Sequence, residues 1–89
     1  GDYGNWCGLN NSRSDPNYPV VDGVDEACRD HDLCLKSAGY HKCSCDGSFI
    51  RALGTASARN EHGEAYRVAA ISTFQVKPCK CRHEKCITL

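Results

Sequence analysis

The fold is decided by the stretch Asp22-Gly-Val-Asp-Glu-Ala-Cys-Arg-Asp-His-Asp-Leu-Cys34, in which helical spacing and two cysteines coincide. Asp22 is a favourable helix cap, and the acidic residue three positions later imitates a capping box. Gly39 is well suited to follow the last turn of a helix. We therefore predict a first helix that begins at Asp22 and ends before Gly39. The residues expected on one face of this helix recur at helical spacing: Val24, Ala27, Cys28, His31, Leu35 and Ala38.

A second helix is predicted from about Lys42 to about Arg59, with an apolar stripe at Phe49, Ile50, Ala52 and Leu53. The short turn at Gly39 and Tyr40 makes the two helices antiparallel neighbours.

Facing positions on an antiparallel pair lie equally far along the chain from the connecting turn. Cys34 and Cys45 meet this condition, so a disulfide between them can join the helices. His31 and Asp46 meet it to within one helical step, so we expect these two side chains to lie beside one another.

Outside the helical pair the pattern is less regular. Residues 1–21 are rich in glycine, asparagine, serine and proline, and they predict a loop. Residues 64–71 favour a helix but residues 72–76 favour a strand, so we predict irregular structure there. Residues 78–89 are a cysteine-rich tail that disulfides must hold down. The whole chain, residues 1–89, is predicted to be one mainly α, disulfide-rich domain.

Composition excludes several classes of protein. The formal net charge of zero argues against a nucleic-acid binder that depends on phosphate contacts. The longest apolar run, Val68 to Ile71, is far shorter than the roughly 20 residues that span a bilayer. Eight cysteines in 89 residues, about 9%, are typical of a disulfide-bonded scaffold. An even count in a short chain predicts four disulfides and a secreted, extracellular protein.

The cysteines leave alternatives open. Eight cysteines allow about 105 pairings, so the sequence alone does not choose among them. A zinc site in the tail is the alternative to disulfides, with Cys79, Cys81, His83 and Cys86 as ligands, although their spacing is tighter than that of paired zinc ligands.

His31 and Asp32 bring a base and a metal ligand onto one helix. Adjacent helical residues diverge by about 100°, so these side chains can line one cavity in different roles. A carboxylate is a hard oxygen ligand suited to Ca²⁺, and a neutral imidazole accepts a proton near neutral pH. Together they suit general-base hydrolysis of a metal-bound ester. The alternative is an ordinary solvated helix face.

Three blocks of sequence resemble the secreted phospholipases A2, most closely the bee-venom type. They are Tyr3-Gly-Asn-Trp-Cys-Gly8, then Asp22 to Cys34, then Cys43-Ser-Cys-Asp46, and together they cover roughly residues 3–53. The resemblance implies an enzyme with an N-terminal calcium-binding loop that hydrolyses the sn-2 ester of phosphoglycerides.

The resemblance also implies roles for particular residues. His31 is the expected general base, Asp46 holds and stabilises the imidazole, and the Asp32 carboxylate binds Ca²⁺. The Gly8 N–H assists at the oxyanion. A site with a single carboxylate predicts weak calcium binding, of order 10⁻⁴–10⁻³ M. The remaining calcium ligands are backbone carbonyls of Trp6, Gly8 and Asn10.

The same resemblance implies Cys7–Cys28 and Cys34–Cys45 disulfides. Ala27 and Ala52 stand where the family usually has a further bridge, so both of its halves are missing together. Four cysteines then remain, with three pairings, and the bee-venom type favours Cys43–Cys79 and Cys81–Cys86.

The expected partner is a phospholipid aggregate or membrane surface, with no nucleic acid. The short connection between the helices leaves no room for the family's β-hairpin wing. Because the sequence ends earlier than the family's, we expect part of the acyl channel to come from residues 61–89 or from a second chain. One alternative is a phospholipase-like toxin that binds a receptor or channel without hydrolysis. Another is a disulfide-rich structural protein. Asn10 also begins a glycosylation sequon at the mouth of the expected calcium loop.

Overall fold

Three helices and a short hairpin make up the described part of the chain. The computed structural model describes residues 1–11, 13–38, 43–75, 79–82 and 85–88, the last two ranges by their backbone. A single 3-10 turn, Leu9–Asn11, lies in the N-terminal loop. The regular elements are helices α1 (Gly23–Ala38), α2 (Cys43–Thr55) and α3 (Glu61–Gln75), followed by strands β1 (Cys79–Arg82) and β2 (Lys85–Thr88).

Helix α1 begins where its cap predicts. Asp22 Oδ1 accepts the N–H of Asp25 at 2.8 Å, which satisfies one of the free donors of the first turn. The reciprocal half of the expected capping box is displaced by one residue, because Asp25 accepts the N–H of Val21 at 3.0 Å. The predicted first helix is thus confirmed.

Helices α1 and α2 are joined by the Cys34–Cys45 disulfide, which the structure contains as predicted. A second disulfide, Cys7–Cys28, ties the N-terminal loop to α1. The turn expected at Gly39 and Tyr40 lies outside the described residues.

Two sequence-based boundaries are wrong. Helix α2 ends at Thr55 and not near Arg59, because the chain leaves the helix after Thr55 and the Arg59 N–H donates to Asp22 Oδ2 at 2.9 Å. Residues 61–75 are a continuous helix and not irregular. Asn60 caps it through a 2.8 Å bond from the N–H of Gly63. Helical packing therefore overrides the local strand preference of residues 72–75.

The tail contains an antiparallel hairpin that the sequence did not predict. Its register sets Cys81 opposite Cys86. The core is formed by the N-terminal loop and all three helices. None of the helices in the described ranges has the length and apolar character needed to cross a membrane. The buried apolar residues are Tyr3, Trp6, Cys7, Val24, Ala27, Cys28, Cys45, Phe49, Leu53 and Ala70.

Candidate active site

His31 and Asp46 form a hydrogen-bonded pair between α1 and α2. His31 Nε2 lies 2.7 Å from Asp46 Oδ1, and the two side chains are only 8% and 15% exposed. An ionised carboxylate accepts hydrogen bonds and donates none, so the shared proton belongs to Nε2. In the neutral imidazole the other ring nitrogen, Nδ1, is then a proton acceptor. The structure thus brings His31 and Asp46 together, as the antiparallel pairing of the two predicted helices led us to expect.

Local structure holds both members of this pair. The Cys34–Cys45 disulfide crosses from α1 to α2 one residue from Asp46 and three from His31. Asp46 lies in the first turn of α2, where the helix dipole favours a negative charge. The carboxylate therefore has a structural reason to remain an acceptor for the imidazole.

Two phenylalanines enclose the His31 ring. Phe49 stacks on it with ring centroids 4.3 Å apart and an angle of 16° between the planes. Phe74 meets it edge-on, at 5.2 Å and 85°. The sequence placed Phe49 only in an apolar stripe and Phe74 in an irregular segment, so both contacts were missed. The spacing of Phe49 three residues after Asp46 was the one available signal, because such residues share a helix face.

A cavity of about 210 Å³ borders His31. Ala27 and Ala52 both line it, and these are the positions where the resemblance expects a disulfide that this chain lacks. Small side chains on both helices therefore leave open space beside the imidazole. The rest of the lining consists of Asp30, Cys34, Cys45, Ser48 and Phe49.

Asp25 anchors the N-terminal loop from the first turn of α1. Its carboxylate is fully buried and accepts the backbone N–H groups of Asn5 at 3.0 Å, Trp6 at 2.8 Å and Val21 at 3.0 Å. Gly4 adopts a positive φ of 60°, and a Cβ there would come within 2.6 Å of the Asp25 carboxyl carbon. Glycine at position 4 is thus required both by backbone conformation and by space.

Asn11 holds the loop from the other side. Its Nδ2 lies 2.8 Å from the carbonyl oxygen of Cys7, 3.2 Å from that of Gly4 and 3.4 Å from that of Tyr3. Its backbone N–H donates to the Gly8 carbonyl at 3.1 Å. The sequence assigned Asn11 no structural role, because this role depends on carbonyl positions that only the folded loop defines.

Asp32 is half-buried, and this burial raises the pKa of its carboxyl group. Electrostatic interactions with His31 and Lys36 lower this pKa but do not outweigh the burial. An ionised Asp32 is therefore costly in the protein alone, and a cation beside it would reduce that cost.

Tyr66 responds electrostatically to carboxylates from two segments. Its pKa is raised by burial and then by Asp32 and Asp2. The Asp2 side chain lies against Gly8, so a Cβ added at Gly8 would overlap it. One carboxylate from α1 and one from the N-terminal segment therefore act on the same tyrosine.

The expected carbonyl ligands have different surroundings. Trp6 is buried, and its indole N–H donates to the Tyr18 carbonyl at 3.0 Å. Gly8 has a φ of 102°, and Asn10 is exposed on the 3-10 turn. In the described part of the chain, no three His, Cys, Asp or Glu side chains form a metal-binding group. The expected calcium ligands are one carboxylate and three backbone carbonyls, and they do not need such a group of side chains. Calcium binding by this loop stays a prediction.

Cys43 is also disulfide-bonded. Its expected partner Cys79 and the expected Cys81–Cys86 bridge depend on side chains outside the described residues. The zinc alternative falls there too, since it needs these tail cysteines and His83.

Comparisons with known proteins add no assignment. No protein-family model, no curated protein and no solved structure matches the chain.

Proposed function

We propose that the protein is a secreted phospholipase A2 that hydrolyses the sn-2 ester of phosphoglycerides with the help of Ca²⁺. The observation that carries the proposal is the buried His31–Asp46 pair, in which Nε2 is hydrogen-bonded at 2.7 Å. Nδ1 is thereby left as a base, and Asp32 follows directly on the same helix. The resemblance of the three sequence blocks supplies the substrate class.

In the proposed reaction, His31 Nδ1 takes a proton from water as the water oxygen attacks the sn-2 carbonyl carbon. Asp46 stabilises the imidazolium that forms. The imidazolium then returns the proton to the alkoxide of the leaving lysophospholipid as the ester C–O bond breaks. The products are a free fatty acid and a lysophospholipid, and His31 is again neutral. The Gly8 N–H is proposed to donate to the oxyanion.

The donor set suits calcium. Carboxylate and carbonyl oxygens are the ligands that this hard cation prefers, and the half-buried Asp32 carries a charge that is costly without a cation. Asp32 and the carbonyls of Trp6, Gly8 and Asn10 would hold the ion. When bound, Ca²⁺ would polarise the ester carbonyl and stabilise negative charge on its oxygen.

A lipid surface is the proposed partner. The net charge of zero offers little long-range attraction to anionic lipid, so apolar contacts must carry the binding. Leu9 is 98% exposed on the 3-10 turn directly after Gly8. It is the side chain best placed to enter a membrane next to the proposed calcium loop.

The disulfides support the proposed location. The chain contains two described disulfides, Cys7–Cys28 and Cys34–Cys45. Disulfides persist in oxidising compartments and are rare in cytosolic proteins. Secretion is therefore proposed together with the activity.

The test is acyl release from mixed-chain phosphatidylcholine vesicles, first with millimolar calcium and then with a chelator. We expect fatty acid from the sn-2 position, lost on chelation. No release with millimolar calcium would contradict the proposal and favour the toxin-like module that binds a receptor or channel.

A matched pair of histidine variants tests the role of His31. We expect His31→Gln to lower turnover by about 10²–10⁴-fold, since a positioned base contributes that much, while calcium binding persists. His62→Gln is the control, because His62 packs edge-on against Tyr3 with ring centroids 5.3 Å apart and takes no part in the pair. Equal losses of turnover in both variants would show that the assigned role is wrong.

A further inference from the structure

We propose that Phe49 is a positioning residue that fixes the plane of the His31 imidazole. This inference rests on the proposed function, because it explains how the base is aimed. Phe49 lies three residues after Asp46 on α2, so one helix supplies both the carboxylate and the aromatic surface for the same imidazole.

The geometry leaves the ring little freedom. The bond from His31 Nε2 to Asp46 restrains one nitrogen, but a single hydrogen bond still allows the ring to tilt about that contact. The stack with Phe49 at 4.3 Å and 16° removes this tilt, because a tilted ring would lose face-to-face contact. Phe49 is only 4% exposed, so its own ring has no room to swing into solvent.

Phe74, on α3, contacts the rings of both Phe49 and His31. It meets the Phe49 ring edge-on, with centroids 5.1 Å apart and an angle of 85° between the planes. It meets the His31 ring at nearly the same distance and angle. The perpendicular contact with Phe74 therefore restrains the orientation of Phe49, and Phe49 in turn restrains the plane of the His31 ring. This also gives α3 a part in the site.

The stack has a further electrostatic consequence. The face of a phenyl ring carries partial negative charge, so a cation against that face is attracted to it. In the proposed reaction His31 becomes positively charged while it lies against Phe49. The stack therefore favours the transient imidazolium in addition to aligning the neutral base.

The test uses three variants of the full-length, disulfide-bonded protein. Phe49→Leu keeps an apolar side chain but removes the ring, and Phe49→Tyr keeps the ring at the edge of the cavity that Phe49 lines. Leu53→Val is the control for general damage to α2, since Leu53 is fully buried one turn further along. The readouts are the His31 ring ¹⁵N and ¹H resonances, which report its tautomer and its stacking, and kcat and KM on mixed-chain phosphatidylcholine.

We expect wild-type His31 to show a single Nε2–H tautomer and ring-proton shifts caused by the stacked phenyl ring. Phe49→Leu should lose those shifts and mix the tautomers, and its kcat should fall by about 10–100-fold with KM nearly unchanged. Phe49→Tyr should restore both properties, and Leu53→Val should disturb neither.

Three results would overturn the proposal. One is mixed tautomers in the wild type, which needs no folded variant to observe. Another is an unchanged His31 signature in Phe49→Leu. The third is an equal effect of Leu53→Val. If wild-type protein releases no fatty acid while the His31 signature is lost in Phe49→Leu, the positioning role stands and the hydrolase proposal alone fails.

Discussion

The Asp25 carboxylate accepts the backbone N–H of Trp6 at 2.8 Å, so a fully buried charge in the first turn of α1 fixes the N-terminal loop. The backbone N–H groups of Asn5 and Trp6 lie in a turn, outside the helices and strands. Asp25 accepts them from a rigid helix, next to the Cys7–Cys28 disulfide. The proposed calcium loop is thus attached to the same helix that carries His31 and Asp32.

Replacing Asp25 should therefore release the loop. Asp25→Asn substitutes an NH₂ donor for one acceptor oxygen, and that donor would face backbone N–H groups. We expect a loss of about 2–3 kcal/mol in the free energy of unfolding, the usual cost of breaking buried charge-assisted bonds. Denaturant unfolding followed by circular dichroism measures it. Asp30→Asn is the control, because Asp30 is 60% exposed, and equal stability of the two variants would refute the anchoring role.

Asp32 should destabilise the metal-free fold at neutral pH. Its pKa is raised above the ordinary value of 3.8 by burial. The protonated form thus favours the folded state below that ordinary value, and this contribution is lost as the pH rises through the raised pKa. In chelator, Asp32→Asn should consequently be more stable than wild type at pH 7, and the difference should shrink towards pH 3.5. Thermal unfolding at both pH values tests the sign.

Calcium should reverse this order. At the expected affinity, 10 mM calcium stabilises a folded protein by roughly 1.4–2.7 kcal/mol. We expect wild-type protein to gain several degrees in Tm and Asp32→Asn to gain almost none. Magnesium at the same concentration is the control for ionic strength. An equal gain in Tm for both proteins would place the ion somewhere other than at Asp32.

Gly63 should tolerate no side chain. It lies under the Tyr3 ring, and a Cβ would come within 2.5 Å of Tyr3 Cζ and 2.9 Å of Ala58 Cβ. We expect Gly63→Ala to cost about 1–3 kcal/mol in the free energy of unfolding through overpacking. Gly54→Ala is the matched control, because nothing lies within 4 Å of its added Cβ, and it should gain up to about 1 kcal/mol. Similar chemical unfolding midpoints for the two variants would contradict this account.

Leu9 should act at the lipid surface and not in the chemistry. Burying a leucine side chain is worth about 1.5–3 kcal/mol, so Leu9→Asp should weaken binding to phosphatidylcholine vesicles by roughly 10–100-fold. Hydrolysis of a soluble, short-chain phospholipid should be nearly unchanged. Val68→Asp is the comparison, since Val68 is 55% exposed on α3. If Val68→Asp weakens vesicle binding equally, Leu9 has no special place at the surface.

Much of the helical pair could be predicted from the sequence. The sequence shows the Asp22 cap, the helical spacing within α1 and the short connection to α2. In antiparallel helices, residues equally far along the chain from the connection face one another. This rule places Cys34 opposite Cys45 and His31 opposite Asp46. The end of α2 and the whole of α3 could not be predicted in this way. Local preferences near Phe74 favour a strand, whereas its contacts with Phe49 and His31 favour the helix.

The two helices that carry His31, Asp46 and Asp32 follow from the sequence alone, because cap, periodicity and cysteine spacing are local properties. What surrounds these side chains follows from tertiary packing: the Phe49 stack, the Asp25 anchor, the Asn11 contacts and the contact between the Tyr3 ring and Gly63. These contacts join segments distant along the chain, and their existence depends on the distances and angles at which the folded elements meet.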